Sequence, residues 1–232
     1  MAASDARAAK AVCVENATIA ELRQALAAGD TTAAGLVQAY LGRIAAYDQT
    51  GPRLNAVREV NPDAAAIAAQ SDAREPPQRR PLEGIPILIK DNVATADTQH
   101  TTAGSLALEG ARAKDDATVV KLLRQAGAVI IGKANLTEFA NILAIDMPAG
   151  YSSLGGQVKN PYALELDDKN VPVVLPGGSS SGSAVAIAAG LAAAAIGTET
   201  SGSLLSPASQ NGVVTVKPTV GLISRAAYAH RR

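Results

Sequence analysis

Apolar residues recur at helical spacing in the first third of the chain and in short continuous runs after it. Thr18-Ile-Ala-Glu21 is a capping box, in which the Thr hydroxyl and the Glu carboxylate satisfy backbone donors at a helix start. The helix it opens carries Ile19, Leu22 and Leu26 on one face and stops near Gly29. A second cap, at Thr31 or Thr32, opens a helix with Leu36, Val37, Tyr40, Leu41 and Ile44 at helical spacing. An Ala-rich segment from Asp63 to Ala73 predicts a third helix, and Glu75 to Pro81 a loop, because adjacent prolines break both helix and ladder.

Beyond that loop the pattern alternates. Ile85 to Ile89 reads as a short apolar strand ending at Lys90, Asp116 to Gln125 as a helix, and Ala128 to Ile131 as a strand closed by Gly132. Gly182 to Ala195 reads as an Ala-rich helix, Val213 to Val216 as another strand, and Leu164 to Val171 as a solvated loop. Strands alternating with helices predict an α/β layer fold around a mainly parallel sheet. There is no internal repeat.

Composition narrows the function classes. The chain has 232 residues, 47% hydrophobic and 18% charged, with formal net charge zero. A nucleic-acid binder would carry a basic excess or stripe, and base-stacking platforms are not expected at 3% aromatics. Cys13 is the only cysteine, which excludes an intramolecular disulfide and a thiolate metal cluster. Met1 to Val14 lacks the apolar core of a signal peptide, and the apolar stretch Ala184 to Ile196 is too short to span a bilayer. A soluble cytoplasmic protein is expected.

Two small-residue loops follow apolar runs, Pro176-Gly-Gly-Ser-Ser-Ser-Gly-Ser183 before a helix and Gly197-Thr-Glu-Thr-Ser-Gly-Ser203 shortly after it. Such loops let backbone approach a ligand closely, and a helix start behind them supplies free N–H groups. Three readings of the first loop compete. It can be a plain connector packing a helix on a sheet. A phosphate cradle is the second, but the Gly-Lys-Ser/Thr end of a Walker loop and the Rossmann glycine spacing are both missing. The third is a nucleophile elbow at Gly178-Ser-Ser180-Ser-Gly182, which needs a downstream acid and then a histidine. Only His230 follows, two residues from the chain end. A lysine can take a histidine's place as base if burial holds it neutral. Lys90 stands at the end of a strand, where α/β folds place reactive groups, though a solvated strand-end lysine fits the pattern as well.

The blocks Gly84-Ile-Pro-Ile-Leu-Ile-Lys-Asp-Asn92, Thr102-Ala-Gly-Ser105, Gly127 to Glu138, Pro176 to Ser183, Gly197 to Ser203 and Gly212 to Leu222 stand in the order found in the amidase-signature family. From about Ile19 to Arg225 the chain resembles that family, in wording most similar to the peptide amidase-like branch. The resemblance implies an amidase-signature α/β/α sandwich around a mixed, mainly parallel sheet, incomplete at the C-terminus. It divides the chain into an N-terminal helical segment (1–80) and a partial catalytic core (81–232) within one structural domain.

By position, the resemblance assigns the family's lysine to Lys90, its bridging serine, preceded by a cis peptide bond, to Ser179, and its nucleophile to Ser203. It implies that Lys90 draws a proton from Ser179, which relays one from Ser203. Ser203 then attacks an amide carbonyl, with the oxyanion held by backbone N–H groups of Thr200, Ser201, Gly202 and Ser203. The implied substrate is a small-molecule or peptide amide, and no metal or organic cofactor is called for. Ser201 departs from the family's usual Gly or Asp, and Leu205 from a frequent Arg. Members are about twice as long, so a truncated chain of weak activity is expected, or one completed by a separate C-terminal half or a homodimer. Two other functions fit the same residues: the glutaminase subunit of a tRNA-dependent amidotransferase, and a non-catalytic remnant that only binds.

Overall fold

The computed structural model describes residues 12–142 and 144–226. His230, weighed above as a base, lies outside the described residues. The first helix, α1 (Ile19–Ala28), begins at the expected capping box: Glu21 N–H donates to Thr18 Oγ1 at 3.2 Å and Thr18 N–H to Glu21 Oε2 at 2.8 Å. It ends at Gly29, whose φ of 73° lies in the left-handed region that glycine enters without penalty. The second, α2 (Ala33–Arg43), is capped by Thr32 rather than Thr31. Its first amides are also held from a distance. Ala33 and Ala34 donate to the Asp72 carboxylate at 2.7 and 2.9 Å, which pins α2 to the end of α3 (Ala64–Asp72).

Between these helices lies β1 (Val57–Val60), which the reading of residues 1–80 as helical did not anticipate. Four residues of mixed exposure carry too little alternation to register as a strand. The other strands of its sheet are β2 (Pro86–Lys90), β3 (Val129–Ala134) and, further on, β6 (Ala194–Ile196). The sheet has the order β1-β3-β2-β6: β1 is antiparallel to β3, while β3–β2 and β2–β6 are parallel. It is thus the expected mixed, mainly parallel sheet of an α/β fold. Its two central strands are buried throughout, as parallel strands covered on both faces must be. Ile85, Ile87, Leu88, Ile89, Val129, Ile130 and Ile131 form the middle of the core, against Leu36, Val37 and Tyr40 of α2 and Val185.

Three further expectations give way. Gly132 does not close its strand but lies inside β3, where an added Cβ would sit 2.4 Å from the Glu59 carbonyl oxygen. The Ala-rich run after Gly182 is not one helix. It forms α5 (Ser181–Ala188), turns at Gly190 (φ 62°) and continues as β6, since a run of alanines carries no periodicity that separates helix from strand. Val213 to Val216 pairs with no strand, and Val214 and Val216 are 96% and 78% exposed. A short helix α6 (Leu205–Gln210) precedes it. Between β3 and α5, α4 (Thr118–Gln125) having come before them, the chain forms a small hairpin of β4 (Tyr151–Ser152) and β5 (Gly156–Gln157). Leu164 to Val171 is a loop whose Glu165, Asp167 and Asp168 are exposed.

Candidate active site

Lys90 is the last residue of β2, and its side chain is wholly buried. Three hydroxyl oxygens surround its amine: Ser179 Oγ at 2.7 Å, Thr198 Oγ1 at 2.9 Å and Ser180 Oγ at 3.0 Å. The carbonyl oxygen of Thr198 lies at 3.4 Å. Burial pushes the Lys90 ammonium down to about 7, against the opposing pull of the Glu199 carboxylate. A neutral amine is therefore well populated at neutral pH. The two small-residue loops supply these partners because β6 lies beside β2, so the turn before α5 and the turn after β6 meet over the same strand end.

The peptide bond between Gly178 and Ser179 is cis. Ser179 and Ser180 are 1% exposed, and the Thr137 N–H holds the Ser179 carbonyl at 3.0 Å. Gly182, the second residue of α5, must be glycine: an added Cβ would lie 2.3 Å from the Ala56 carbonyl oxygen and 2.5 Å from that of Asn135. The helix can approach the ends of β1 and β3 so closely because no side chain stands there.

Ser203 lies on the second loop and is joined to the first by a bond from Ser180 N–H to the Ser203 carbonyl at 3.1 Å. Glu199 organises this loop. Its Oε2 accepts from Leu204 N–H at 2.7 Å and Leu205 N–H at 3.0 Å. Burial alone would raise its pKa, but these amides and that of Gly202 bring the carboxyl below its ordinary value. Among the described residues, the amides of Thr200, Ser201 and Ser203 donate to no backbone acceptor.

A second buried lysine, Lys133, stands on β3 beside β2, paired in register with Ile89. Its amine donates to the Val93 carbonyl at 2.7 Å and to Thr101 Oγ1 at 3.0 Å. Next to it the buried Asp91 is paired with the Arg58 guanidinium, whose Nη2 donates to Oδ1 at 3.1 Å, and it also accepts from the Thr102 hydroxyl and from the amides of Thr102 and Gly104 at 3.2 and 3.1 Å. This network fixes the segment that follows Lys90. Reading the sequence had missed Thr198, Ser180 as a lysine partner, Glu199 and Lys133. The one available signal was that all four lie inside the blocks already singled out. Among the described residues, no three His, Cys, Asp or Glu side chains converge as metal ligands, and no helix is long and apolar enough to cross a membrane.

The chain thus has an α/β sheet with a buried lysine under two serine-rich turns, and similarity to known proteins places it in a family. The chain matches the family model described as Amidase over residues 35–231 and belongs to that family. It is 46% identical to the Arabidopsis thaliana protein named "Probable amidase", over 97% of this chain and 42% of that one. With a Schizosaccharomyces pombe protein whose name also reads amidase it shares 45% identity, over 92% of this chain and 35% of that one. Among solved structures, native peptide amidase from Stenotrophomonas maltophilia superposes with a TM-score of 0.85 at 52% identity, covering 92% of this chain and 42% of that one. The chain thus spans less than half the length of these relatives.

Proposed function

We propose that this chain carries the nucleophile and proton relay of an amide hydrolase, with Lys90, Ser179 and Ser203 as a Ser–cisSer–Lys triad. The observation that carries the reading is a buried lysine amine, neutral in good part near pH 7, at 2.7 Å from Ser179 Oγ. In this mechanism Lys90 accepts the Ser179 proton while Ser179 takes that of Ser203, so that Ser203 Oγ attacks the amide carbon. The amides of Thr200, Ser201, Gly202 and Ser203 receive the oxyanion. The proton returns through Ser179 to the leaving amine, and water then hydrolyses the acyl-enzyme. All the proton steps run on this chain's own side chains, without a cofactor.

A peptide or small carboxylic amide is the substrate class we favour, supported by the likeness to a peptide amidase. We further propose that a complementing C-terminal half, or a second copy, covers the face formed by β6 and residues 213–223. There Val214, Val216 and Val220 stand 76 to 96% exposed around a cleft of about 420 Å³. Cytoplasmic action fits a sequence with a single cysteine. The test is labelling by a fluorophosphonate: wild type is expected to be modified on Ser203, and Ser203→Ala and Lys90→Ala are not. A folded wild-type chain that stays unlabelled would leave only a binding role. Labelling with turnover of glutamine, but not of peptide amides, would move the assignment to a glutaminase. Robust amide hydrolysis by the 232-residue chain alone would refute the need for a complementing half.

A further inference from the structure

Lys90 has more oxygen neighbours than its amine has hydrogens, and the way those neighbours share hydrogens determines where its lone pair points. A neutral amine offers two N–H groups and one lone pair, an ammonium three N–H groups and none. Ser180 Oγ lies 3.0 Å from the Thr198 carbonyl oxygen and 3.2 Å from the Thr198 N–H. The carbonyl can only accept and the N–H can only donate. The single Ser180 hydrogen therefore goes to the carbonyl, and one Ser180 lone pair takes the N–H. What remains for Lys90 is an acceptor. Thr198 Oγ1 is flanked by the Asn92 carboxamide, with Oδ1 at 3.4 Å and Nδ2 at 3.1 Å. With the threonine hydrogen on Oδ1, this hydroxyl too presents only an acceptor to Lys90. Ser179 Oγ, the nearest neighbour at 2.7 Å, has no other hydrogen-bond partner among the described residues, so its hydrogen meets the lone pair.

We propose that Ser180 and Thr198 are positioning residues that take the two N–H groups of neutral Lys90 and so aim its lone pair at Ser179. The inference rests on the triad reading and goes beyond it. It also explains why the two turns are stapled backbone to side chain: the Thr198 backbone fixes the Ser180 hydroxyl, and both come from the loops that carry Ser179 and Ser203. Protonation of Lys90 raises its demand for acceptors, so removing one disfavours the ammonium more than the amine.

The experiment is an NMR titration of the full chain labelled with ε-¹³C lysine, the Lys90 resonance being the one lost in Lys90→Arg. The Lys90 midpoint is expected to fall in Ser180→Ala and in Thr198→Val, and to stay near wild type in Thr198→Ser, which keeps the hydroxyl. In parallel, fluorophosphonate modification of Ser203 above the midpoint should slow on the order of tenfold in Ser180→Ala, a fraction of what a general base supplies. A midpoint that stays or rises in Ser180→Ala, with the other lysine resonances unmoved, overturns the proposal. If Ser180→Ala does not fold, equal midpoints in Thr198→Val and Thr198→Ser overturn it just as well. A wild type that is not modified at Ser203 would refute the triad reading, and the titration judges the acceptor arrangement independently of it.

Discussion

Lys90 and Lys133 stand on neighbouring parallel strands, both fully buried, yet their surroundings prepare them for different work. Burial lowers both, Lys90 to about 7 and Lys133 to about 8. The Lys133 amine meets a backbone carbonyl, which can only accept, and Thr101 Oγ1, with the carboxylates of Asp91 and Asp97 favouring its charged form. Lys90 meets three hydroxyls, and the nearest has a hydrogen to give. A buried lysine becomes a base through the proton donors around it. Facing a carbonyl, it is a tie between segments.

The largest effect should separate the two outright. Lys90→Met is expected to lower Ser203 modification by roughly 10²- to 10⁴-fold, the range a general base supplies, with the fold retained by circular dichroism. Lys133→Met should leave the modification rate of folded protein within a few-fold of wild type. It should instead cost about 1–3 kcal/mol in urea unfolding, because the Val93 carbonyl loses its buried donor.

Stability against pH sharpens the contrast. Each lysine titrates lower in the folded state than its ordinary value of 10.5, so between the two values the unfolded chain binds more protons and stability rises with pH. The rise should begin near pH 7 in wild type and near pH 8 in Lys90→Met, and in Lys133→Met it should be shallower but still begin near pH 7. Gly182→Ala, which forces a Cβ onto the Ala56 and Asn135 carbonyl oxygens, should destabilise by about 1–3 kcal/mol and disturb the Lys90 titration before that of Lys133. The smallest effect is the control: Thr18→Ala removes the cap of α1 at about 1 kcal/mol and should move neither lysine.

Much of this arrangement was legible in the residues. The Thr18 capping box, the Gly29 stop and the apolar run ending at Lys90 are local signals, and they correspond to elements of the structure. The mainly parallel sheet followed from the alternation of strands and helices, and its mixed character from the family resemblance. The misreadings occurred where partners distant in sequence decide. Four residues at 57–60 became a strand because β3 offered an edge, and Ala194–Ile196 became one because β2 did. Gly132 looked like a terminator and proved to be a point of close backbone approach. In the site, Lys90, Ser179 and Ser203 were named from motif blocks, whereas Thr198 and Ser180 meet Lys90 only once β6 lies beside β2. Lys133 was invisible as a counterpart, since nothing local distinguishes a lysine that will be buried from one that will not.

The central claim is that Lys90 alone of the two buried lysines serves as the base for Ser203. The most direct measurement is the pH dependence of fluorophosphonate modification of Ser203 in wild type, Lys90→Met and Lys133→Met. Modification should rise through about pH 7 in wild type and in Lys133→Met, and show no such rise in Lys90→Met. The same rise persisting in Lys90→Met, or vanishing in Lys133→Met, would contradict the account.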